Sequence, residues 1–391
     1  MKHRYQLGYQ SLCREVGDSI SWRRFCRIPL DQPVPHPTTL SKLVRRAGPG
    51  VIDQLNHALV GKLAADKLLR ARKLRVDTTV VEADIDYPTD ADLLEQAVRT
   101  LGGLVRRSKA HGAATRTTFR DRSRAAGRRM KQLSHALRRR GGQAMAEVDR
   151  LTAQVATLAR RTVREVEAVR RNARRALGHR DGDGWLGRLV GELDATIGHT
   201  TGLLWQTDQR LAGNRVIADR LVSLADPDAR PIRKGKPYRP TEFGYTLLLA
   251  EDERGFVADH QLHQGNPPDA PQLVPAVQRV AQVTGRVAAT VVGDRGFGTV
   301  ANDRELAALG VQRVGVQRKG RLSSARAELE RTRPFRRMRN WRVGIEARIS
   351  HLKRGFGLRR TRLRRLAGAT IWVGLGVFAY NLQRMTVVAA R

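Results

Sequence analysis

Three carboxylates in this sequence lie where they could bind metal ions together. Asp77 lies among residues that alternate as in a β-strand, Asp294 ends a short apolar segment, and Glu346 lies in a basic stretch with helical periodicity. Carboxylate oxygens suit Mg²⁺, and two such ions about 3.5–4 Å apart can cleave and rejoin a phosphodiester. One ion would activate a water or a 3′-hydroxyl, and the other would stabilise the leaving oxygen. The three residues are therefore candidate catalytic metal ligands, if rigid elements bring them together.

The stretch WRVGIEARISHLKRGFG, residues 341–357, predicts a helix with two different stripes. At 100° per residue, one stripe is apolar and typical of a core-facing side: Ile345, Ile349, Leu352 and Phe356. The other, roughly 80° further round, places Glu346 between Arg342 and Lys353. That stripe fits a solvated row of salt bridges, and it also fits an acid that binds metal at the edge of the core.

Each aspartate also has a purely structural interpretation. Asp77 could cap a turn, although the β-branched residues around it favour a strand, where Asp is disfavoured. The sequence Asp294-Arg295-Gly296 is also typical of a strand-to-helix turn. A nearby group of acids competes with Asp77, but it follows the strand and is more typical of loops and helix caps: Glu82, Asp84, Asp86, Asp90 and Asp92.

The charge of the chain indicates the class of its partner. There are 73 Lys and Arg residues against 37 Asp and Glu, giving a formal net charge of +36 and a pI of about 11.6. An enzyme of small molecules needs no such field, whereas a polyphosphate partner does, because each neutralised phosphate releases counterions. A GC-rich genome would explain the preference for Arg over Lys, but not the shortage of acids. We therefore expect a nucleic-acid partner.

Other compositional features bear on the compartment. Cys13 and Cys26 are too far apart to form a zinc pair, which fits a reduced cytoplasm. The first residues, MKHRYQLGYQ, lack the apolar core of a signal peptide. The longest apolar run, 371–382, is too short to span a bilayer and predicts a buried C-terminal helix. We expect a cytoplasmic protein with no membrane partner.

Changes in periodicity divide the chain into four segments. Residues 1–70 predict short helices with a basic face, either a DNA-binding bundle of helix-turn-helix type or a plain helical cap. Residues 71–89 carry the first strand, 90–235 form a long Arg-rich helical insertion, and 236–391 supply the rest of the core. There the order hairpin, helix, strand, helix, strand, helix predicts an α/β fold with one mixed sheet.

Two local signals complete this assignment. In the first segment, one apolar side has near-helical spacing: Leu12, Val16, Ile20 and Phe25. Gly48-Pro49-Gly50 then predicts a helix stop, and EDERG at 251–255 predicts the turn of the hairpin.

The insertion carries an amphipathic pattern. Apolar residues step by threes and fours, with one longer step, as on a coiled-coil face: Val148, Leu151, Val155, Leu158, Val163, Val166 and Val169. Glycines at 141–142 and HRDGDG at 179–184 predict breaks, and 185–205 reads as the return of a helical hairpin. The arginines are either solvated or form a clamp along a polyanion, and the net charge favours the clamp. The face also leads us to expect a homodimer or larger assembly on DNA.

Three segments in this order resemble the acidic motifs of DDE transposases from bacterial insertion sequences: VDTTVVEADIDYPTDADLL, VVGDRGFG and RVGIEARISHLKRGFG. One branch of that family has a Tyr-x2-Arg-x3-Glu-x6-Lys signature, which Arg342, Glu346 and Lys353 match in spacing. Arg339 replaces the Tyr, with Trp341 close by. The resemblance extends to residues 9–28 and 226–237, and is least specific in the helical insertion.

The resemblance implies a ribonuclease-H-like catalytic core, cleavage of double-stranded DNA at terminal inverted repeats, and transfer of the ends to target DNA. It implies two magnesium ions, or manganese, held by Asp77, Asp294 and Glu346. It also implies that DNA phosphates are bound by basic residues beside them: Arg342, Lys353, Arg339 and Arg295. Arg suits phosphate oxygens as a planar fork and Lys as a point charge.

Two other functions fit the same sequence. A metal-dependent nuclease that cuts without strand transfer needs the same three acids. A decayed, non-catalytic DNA-binding protein needs only the positive charge. Because the first matching segment lies close to Met1, the sequence also leaves open a truncated N-terminus.

Overall fold

The structure is a computed structural model that describes residues 1–139, 142–180, 182–214, 216–233 and 241–390. The chain forms two compact units, one of residues 1–84 with 231–391 and the other of residues 85–230. The second unit covers most of the segment that we assigned to the insertion at 90–235. Gly141, Asp181 and residues 234–237, which entered the sequence interpretation, lie outside the described residues.

Helices and strands are numbered separately in chain order. The helices are α1 (Tyr9–Asp18), α2 (Ile20–Cys26), α3 (Pro37–Ala65), α4 (Asp90–Ala110), α5 (Ser123–Leu137), α6 (Gly142–Gly178), α7 (Gly184–Leu211), α8 (Ala270–Thr284), α9 (Val300–Ala308), α10 (Ser324–Arg331), α11 (Arg333–Arg342), α12 (Gly344–Gly355) and α13 (Arg365–Ala389). The strands are β1 (Lys73–Glu82), β2 (Arg230–Arg233), β3 (Thr241–Asp252), β4 (Val257–Gln264), β5 (Thr290–Gly293) and β6 (Arg313–Val316).

Within the described residues, the strands form one mixed sheet. Its order is β2-β3-β1-β5-β6, and β4 also pairs with β3. β1 runs antiparallel to β3 and parallel to β5, and β5 runs parallel to β6. β3 and β4 form the predicted hairpin. The predicted α/β class, a mixed sheet with flanking helices, is confirmed.

Both faces of the sheet are buried because successive residues of a strand point to opposite sides. Leu248 and Ala250 pack with residues of α3 and α8. Leu247 and Leu249 pack with residues of α12 and α13 on the other face. This explains why β3 reads as a continuous apolar run. It also confirms the buried C-terminal helix predicted at 371–382.

Among the described residues, no helix is both long and apolar enough to cross a membrane.

The N-terminal helices differ from the sequence prediction in their packing. Val16 is buried, but Ile20 and Phe25 are 70% and 73% exposed, so the predicted apolar side does not pack as one face. Ser19 separates the two helices and caps α2 by accepting a hydrogen bond from the Trp22 N–H. At the predicted stop, Gly48 has φ 71°, which breaks the helical geometry, but α3 resumes beyond it.

The second unit consists of α4, α5, α6 and α7, so it contains more than the predicted helical hairpin. The predicted apolar stripe of α6 packs inside this unit: five of its residues are buried, and Val148 and Leu158 are partly buried. Val166 packs with α4 and α7, Val155 with α4 and α5, and Leu151 with α5. The stripe therefore forms the unit's own core, and it does not supply a free coiled-coil face for a second copy.

Acids in this unit are largely paired internally. Buried Asp90 forms ion pairs with Arg210 at 3.0 Å and Arg220 at 2.9 Å. Asp92 lies in the first turn of α4, where Thr89 caps the helix. These two members of the acidic group after β1 therefore have structural partners, as a loop-and-cap interpretation requires.

Candidate active site

The sheet places Asp77 and Asp294 side by side. In the parallel pair β1–β5, Val76 lies opposite Gly293, and each aspartate is the next residue. Adjacent strands are about 4.8 Å apart, so Asp77 on β1 and Asp294, directly after the end of β5, are neighbours. Asp77 lies within β1, with its side chain 15% exposed. Asp294 is exposed and precedes a short 3₁₀ turn, Arg295–Phe297.

Arg342 connects Asp77 with Glu346. Its Nη1 lies 3.5 Å from Asp77 Oδ2, and its Nη2 lies 3.5 Å from Glu346 Oε1. The predicted single helix is in fact two, since α11 ends at Arg342 and α12 begins at Gly344. Ile345, Leu352 and Phe356 are buried, as the apolar stripe predicted, while Glu346 faces outward with its side chain 61% exposed.

The three acids do not form a closed metal-binding group. No group of three or more His, Cys, Asp or Glu side chains that could hold a metal ion is found in the described part of the chain. Instead, an arginine lies between Asp77 and Glu346 and offsets their charge. The convergence of all three acids around metal therefore stays a prediction.

Two protein-family models match this chain. A family model described as Transposase DDE domain matches residues 188–382, and one described as Transposase domain (DUF772) matches residues 1–46. The chain belongs to the DDE transposases. No curated protein and no solved structure matches it.

Membership in the DDE transposases makes DNA the partner and implies a ribonuclease-H-like fold for the mixed sheet. The match over 188–382 contains Asp294 and Glu346 but not Asp77, which lies upstream on β1. Asp77 is thus linked to the DDE domain by its strand register with Asp294.

The donor chemistry of this transposase site suits the divalent metal ions that the family generally uses. Its three carboxylates offer only hard oxygen donors. Two of them follow residues paired in register on adjacent strands, and the third shares a cationic partner with the first. We therefore regard these residues as compatible with a divalent ion.

The other predicted phosphate-binding residues surround the same region of the transposase. Arg339 is exposed in the last turn of α11, three residues before Arg342. Arg295 follows Asp294 and donates from Nε to the Arg318 carbonyl at 2.9 Å. Lys353 lies in the last turn of α12 and lines a cavity beyond Glu346.

A buried ion-pair network anchors α12 to the sheet. Glu251 is fully buried and accepts from Arg75 Nε and Arg348 Nε, each at 2.7 Å. Arg75 also donates to the Trp341 carbonyl at 3.1 Å, and a side chain at Gly344 would overlap its guanidinium. The network thus joins β1, β3, α11 and α12 beside Glu346. The sequence does not reveal this network because EDERG at 251–255 is typical of a turn, whereas Glu251 and Asp252 still belong to β3.

Asp269 is a fourth carboxylate near the site. Its Oδ1 accepts from Thr78 Oγ1 at 3.1 Å, and Thr78 N–H donates to Asp77 Oδ1 at 2.8 Å. Its Oδ2 lies 2.5 Å from where a Cβ on Gly296 would stand. Asp269 therefore contacts the residues that follow both Asp77 and Asp294.

The location of Asp269 explains why the sequence did not reveal its contacts with Thr78 and Gly296. Asp269 immediately precedes α8, where an acid normally caps the helix, but its side chain makes no capping hydrogen bond. Aspartate before a helix is too common to indicate a site. Only the loop's return to β1 distinguishes it.

Proposed function

We propose that this transposase cleaves phosphodiester bonds at the ends of an insertion sequence and transfers the 3′ ends to target DNA, using two magnesium or manganese ions. The observation that supports the proposal most is that Asp77 and Asp294 directly follow Val76 and Gly293, which are paired in register on β1 and β5, and that Arg342 links Glu346 to Asp77. Metal ions bound there would activate the attacking oxygen and stabilise the leaving oxygen.

The residues of the chain have separate tasks in this proposal. Asp77, Asp294 and Glu346 hold the cations. Arg342 and Lys353 bind phosphate oxygens of the DNA strand, and their positive charge offsets the charge that develops there in the transition state. In the DNA-free protein, the Arg342 guanidinium lies 3.5 Å from both Asp77 and Glu346 and reduces the repulsion between them.

A strand-transfer assay tests this proposal. Labelled DNA carrying the terminal repeats of the encoding element is incubated with the protein and target plasmid, in Mg²⁺ or in EDTA. We expect cut ends and joined products only with the metal. Free cut ends without joined products would replace the proposal with a nuclease, and binding without cutting would replace it with a non-catalytic DNA-binding protein.

We also propose a homodimer or larger assembly on DNA, because joining two element ends requires both in one complex. The α6 stripe does not support this proposal, since it is buried in its own unit. Sedimentation velocity with and without end DNA tests it, and we expect a complex that contains at least two protein chains and two DNA ends. Complexes of only one protein chain with one DNA end at all concentrations would contradict it.

Asp269 is expected to act as a positioning residue. Asp269→Ala removes the acceptor of Thr78 and loosens both aspartate-bearing segments, so we expect the cleavage rate to fall about 10²-fold, as a small misplacement of reacting groups can cause. DNA affinity should be unchanged. Single-turnover cleavage and fluorescence anisotropy measure the two quantities.

Two further variants make the test of Asp269 specific. Exposed Asp31→Ala serves as the charge-matched control and should retain the wild-type rate. Thr78→Val removes the same hydrogen bond from the other side, so its effect should not add to that of Asp269→Ala. Fully additive losses would show that Asp269 does not act through Thr78.

A further inference from the structure

We propose that a cavity of about 840 Å³ beyond Lys353 binds the phosphodiester backbone of the DNA strand that passes through the candidate active site. The proposal rests on the proposed function and assigns a second DNA contact to that site. The cavity lies in the first unit, between the N-terminal segment and the loop that follows α12. Its lining is strongly cationic: Lys2, Arg45, Lys353, Arg354, Arg359, Arg360 and Arg362.

The charges of this cavity are poorly compensated by the protein. One acid, Asp84, contributes to the lining, and it lies 3.6 Å from Arg360. Glu82 also pairs with Arg360, at 3.2 Å. Among the described residues, Arg359 and Arg362 have no ion pair and are exposed. Like charges gathered around one concave surface repel each other, and an anion relieves that repulsion.

His3 lies in the lining of this cavity with one ring nitrogen that has no hydrogen-bond partner within the residues that the structure describes. The side chain is 5% exposed, and its Nδ1 lies 3.2 Å from the Phe356 carbonyl, so Nδ1 is the donor. Its Nε2 is buried without a hydrogen-bond partner. Burial and then the neighbouring Lys2 charge lower the pKa of His3 to about 4, leaving the ring neutral. A bound phosphate would favour the protonated ring and give Nε2–H an acceptor.

The surroundings of His3 hold it rigidly at this wall. The centroid of its ring lies 4.5 Å from that of the Trp372 ring, and Lys2 Nζ lies 4.2 Å from the centroid of the same Trp372 ring. Trp372 Nε1 donates to the Gly357 carbonyl at 2.8 Å. At Gly357, φ is 74°, and a Cβ would lie 3.3 Å from Trp372, so a glycine here permits the close approach. The cationic wall is therefore built on packed aromatic residues.

The cavity is connected to the candidate active site by α12. Lys353 lies seven residues after Glu346, two turns along the same face and about 10.5 Å away at 1.5 Å per residue. A DNA strand held at Arg342 and Lys353 would thus continue toward Arg359 and Arg362. This arrangement predicts a contact to DNA beyond the scissile phosphate.

The test measures DNA binding without metal, so that it is independent of cleavage. A fluorescein-labelled 30-base-pair duplex is titrated by anisotropy at several salt concentrations in EDTA. The double variant Arg359→Gln/Arg362→Gln is compared with Arg304→Gln/Arg331→Gln, which removes the same charge from exposed positions on α9 and α10. Each lost phosphate contact lowers the slope of log K against log salt by about 0.9. We expect a decrease of about 1.8 for the cavity variant and little change for the control.

A gain-of-function variant guards against misfolding. Asp84→Asn removes the acid from the lining and should tighten binding several-fold at low salt. Equal salt slopes for the cavity and control variants, or an unchanged affinity of Asp84→Asn, would overturn the proposal. The binding test contains no metal, so its result does not depend on cleavage. If the wild-type protein did not cleave end DNA in the strand-transfer assay, the proposed function would be contradicted, but the salt slopes measured here would still test the cavity.

Discussion

Replacing Glu346 with glutamine is expected to lower the rate of Mg²⁺-dependent cleavage about 10³-fold while DNA binding is retained. Glutamine keeps the size of the side chain but removes the negative charge that would help to hold the cation. Metal ions contribute several kcal/mol to the transition state, and each 1.36 kcal/mol is tenfold in rate. Glu346 is largely exposed and contacts Arg342 at 3.5 Å, so the fold should be unaffected. Single-turnover cleavage of end DNA measures the effect.

Glu328→Gln is the matched control for this prediction, because Glu328 is an exposed acid on α10. It should cleave at the wild-type rate. Asp77→Asn and Asp294→Asn should resemble Glu346→Gln. Wild-type cleavage by any of these three variants would remove that residue from the catalytic group, and anisotropy in EDTA would show whether DNA binding had changed instead.

Glu251→Gln is expected to lower the free energy of unfolding by about 3–5 kcal/mol, the usual cost of removing one partner from a buried ion-pair network. The glutamine cannot compensate two guanidinium groups, so Arg75 and Arg348 retain charges without a carboxylate between them. Chemical denaturation followed by circular dichroism measures the loss. Cleavage should also fall, although Glu251 is fully buried, because the network positions the helix that carries Glu346.

The controls for Glu251 separate charge loss from a general effect of substitution. Glu328→Gln on the surface should stay within about 0.5 kcal/mol of wild type. Gly344→Ala, which would push a methyl group into the Arg75 guanidinium, should reproduce part of the loss without changing charge. An unfolding free energy of Glu251→Gln equal to that of wild type would show that the two arginines find other acceptors.

The main elements of the catalytic sheet could be predicted because their patterns are local. The alternation around Asp77 reflects two faces of β1 with different surroundings, and the apolar run of β3 reflects a strand packed on both sides. Their order then gives the α/β class. The side-by-side placement of Asp77 and Asp294 depends on strand register, which the sequence does not contain, although both residues were selected from their own strands.

What could not be predicted depends on contacts between distant segments. Glu251 looks like a turn residue until Arg75 and Arg348 are brought to it from β1 and α12. Asp269 looks like a helix cap until its loop reaches Thr78. The α6 stripe looks like an interface because its periodicity is the same whether the partner is another chain or α4, α5 and α7. Ile20 and Phe25 continue the spacing of Leu12 and Val16, but the break at Ser19 places them on a separate helix, where both are exposed.

The point where the second unit is inserted into the chain has an evolutionary consequence. The chain leaves the sheet at Glu82, the last residue of β1, and returns to it at β2, which lies on the far side of β3 from β1. A segment inserted at this point can change in length or sequence without shifting the register of the strands. Related chains can therefore carry different inserted segments at this point, whereas deleting one residue inside β1 would turn Asp77 to the opposite face of the sheet.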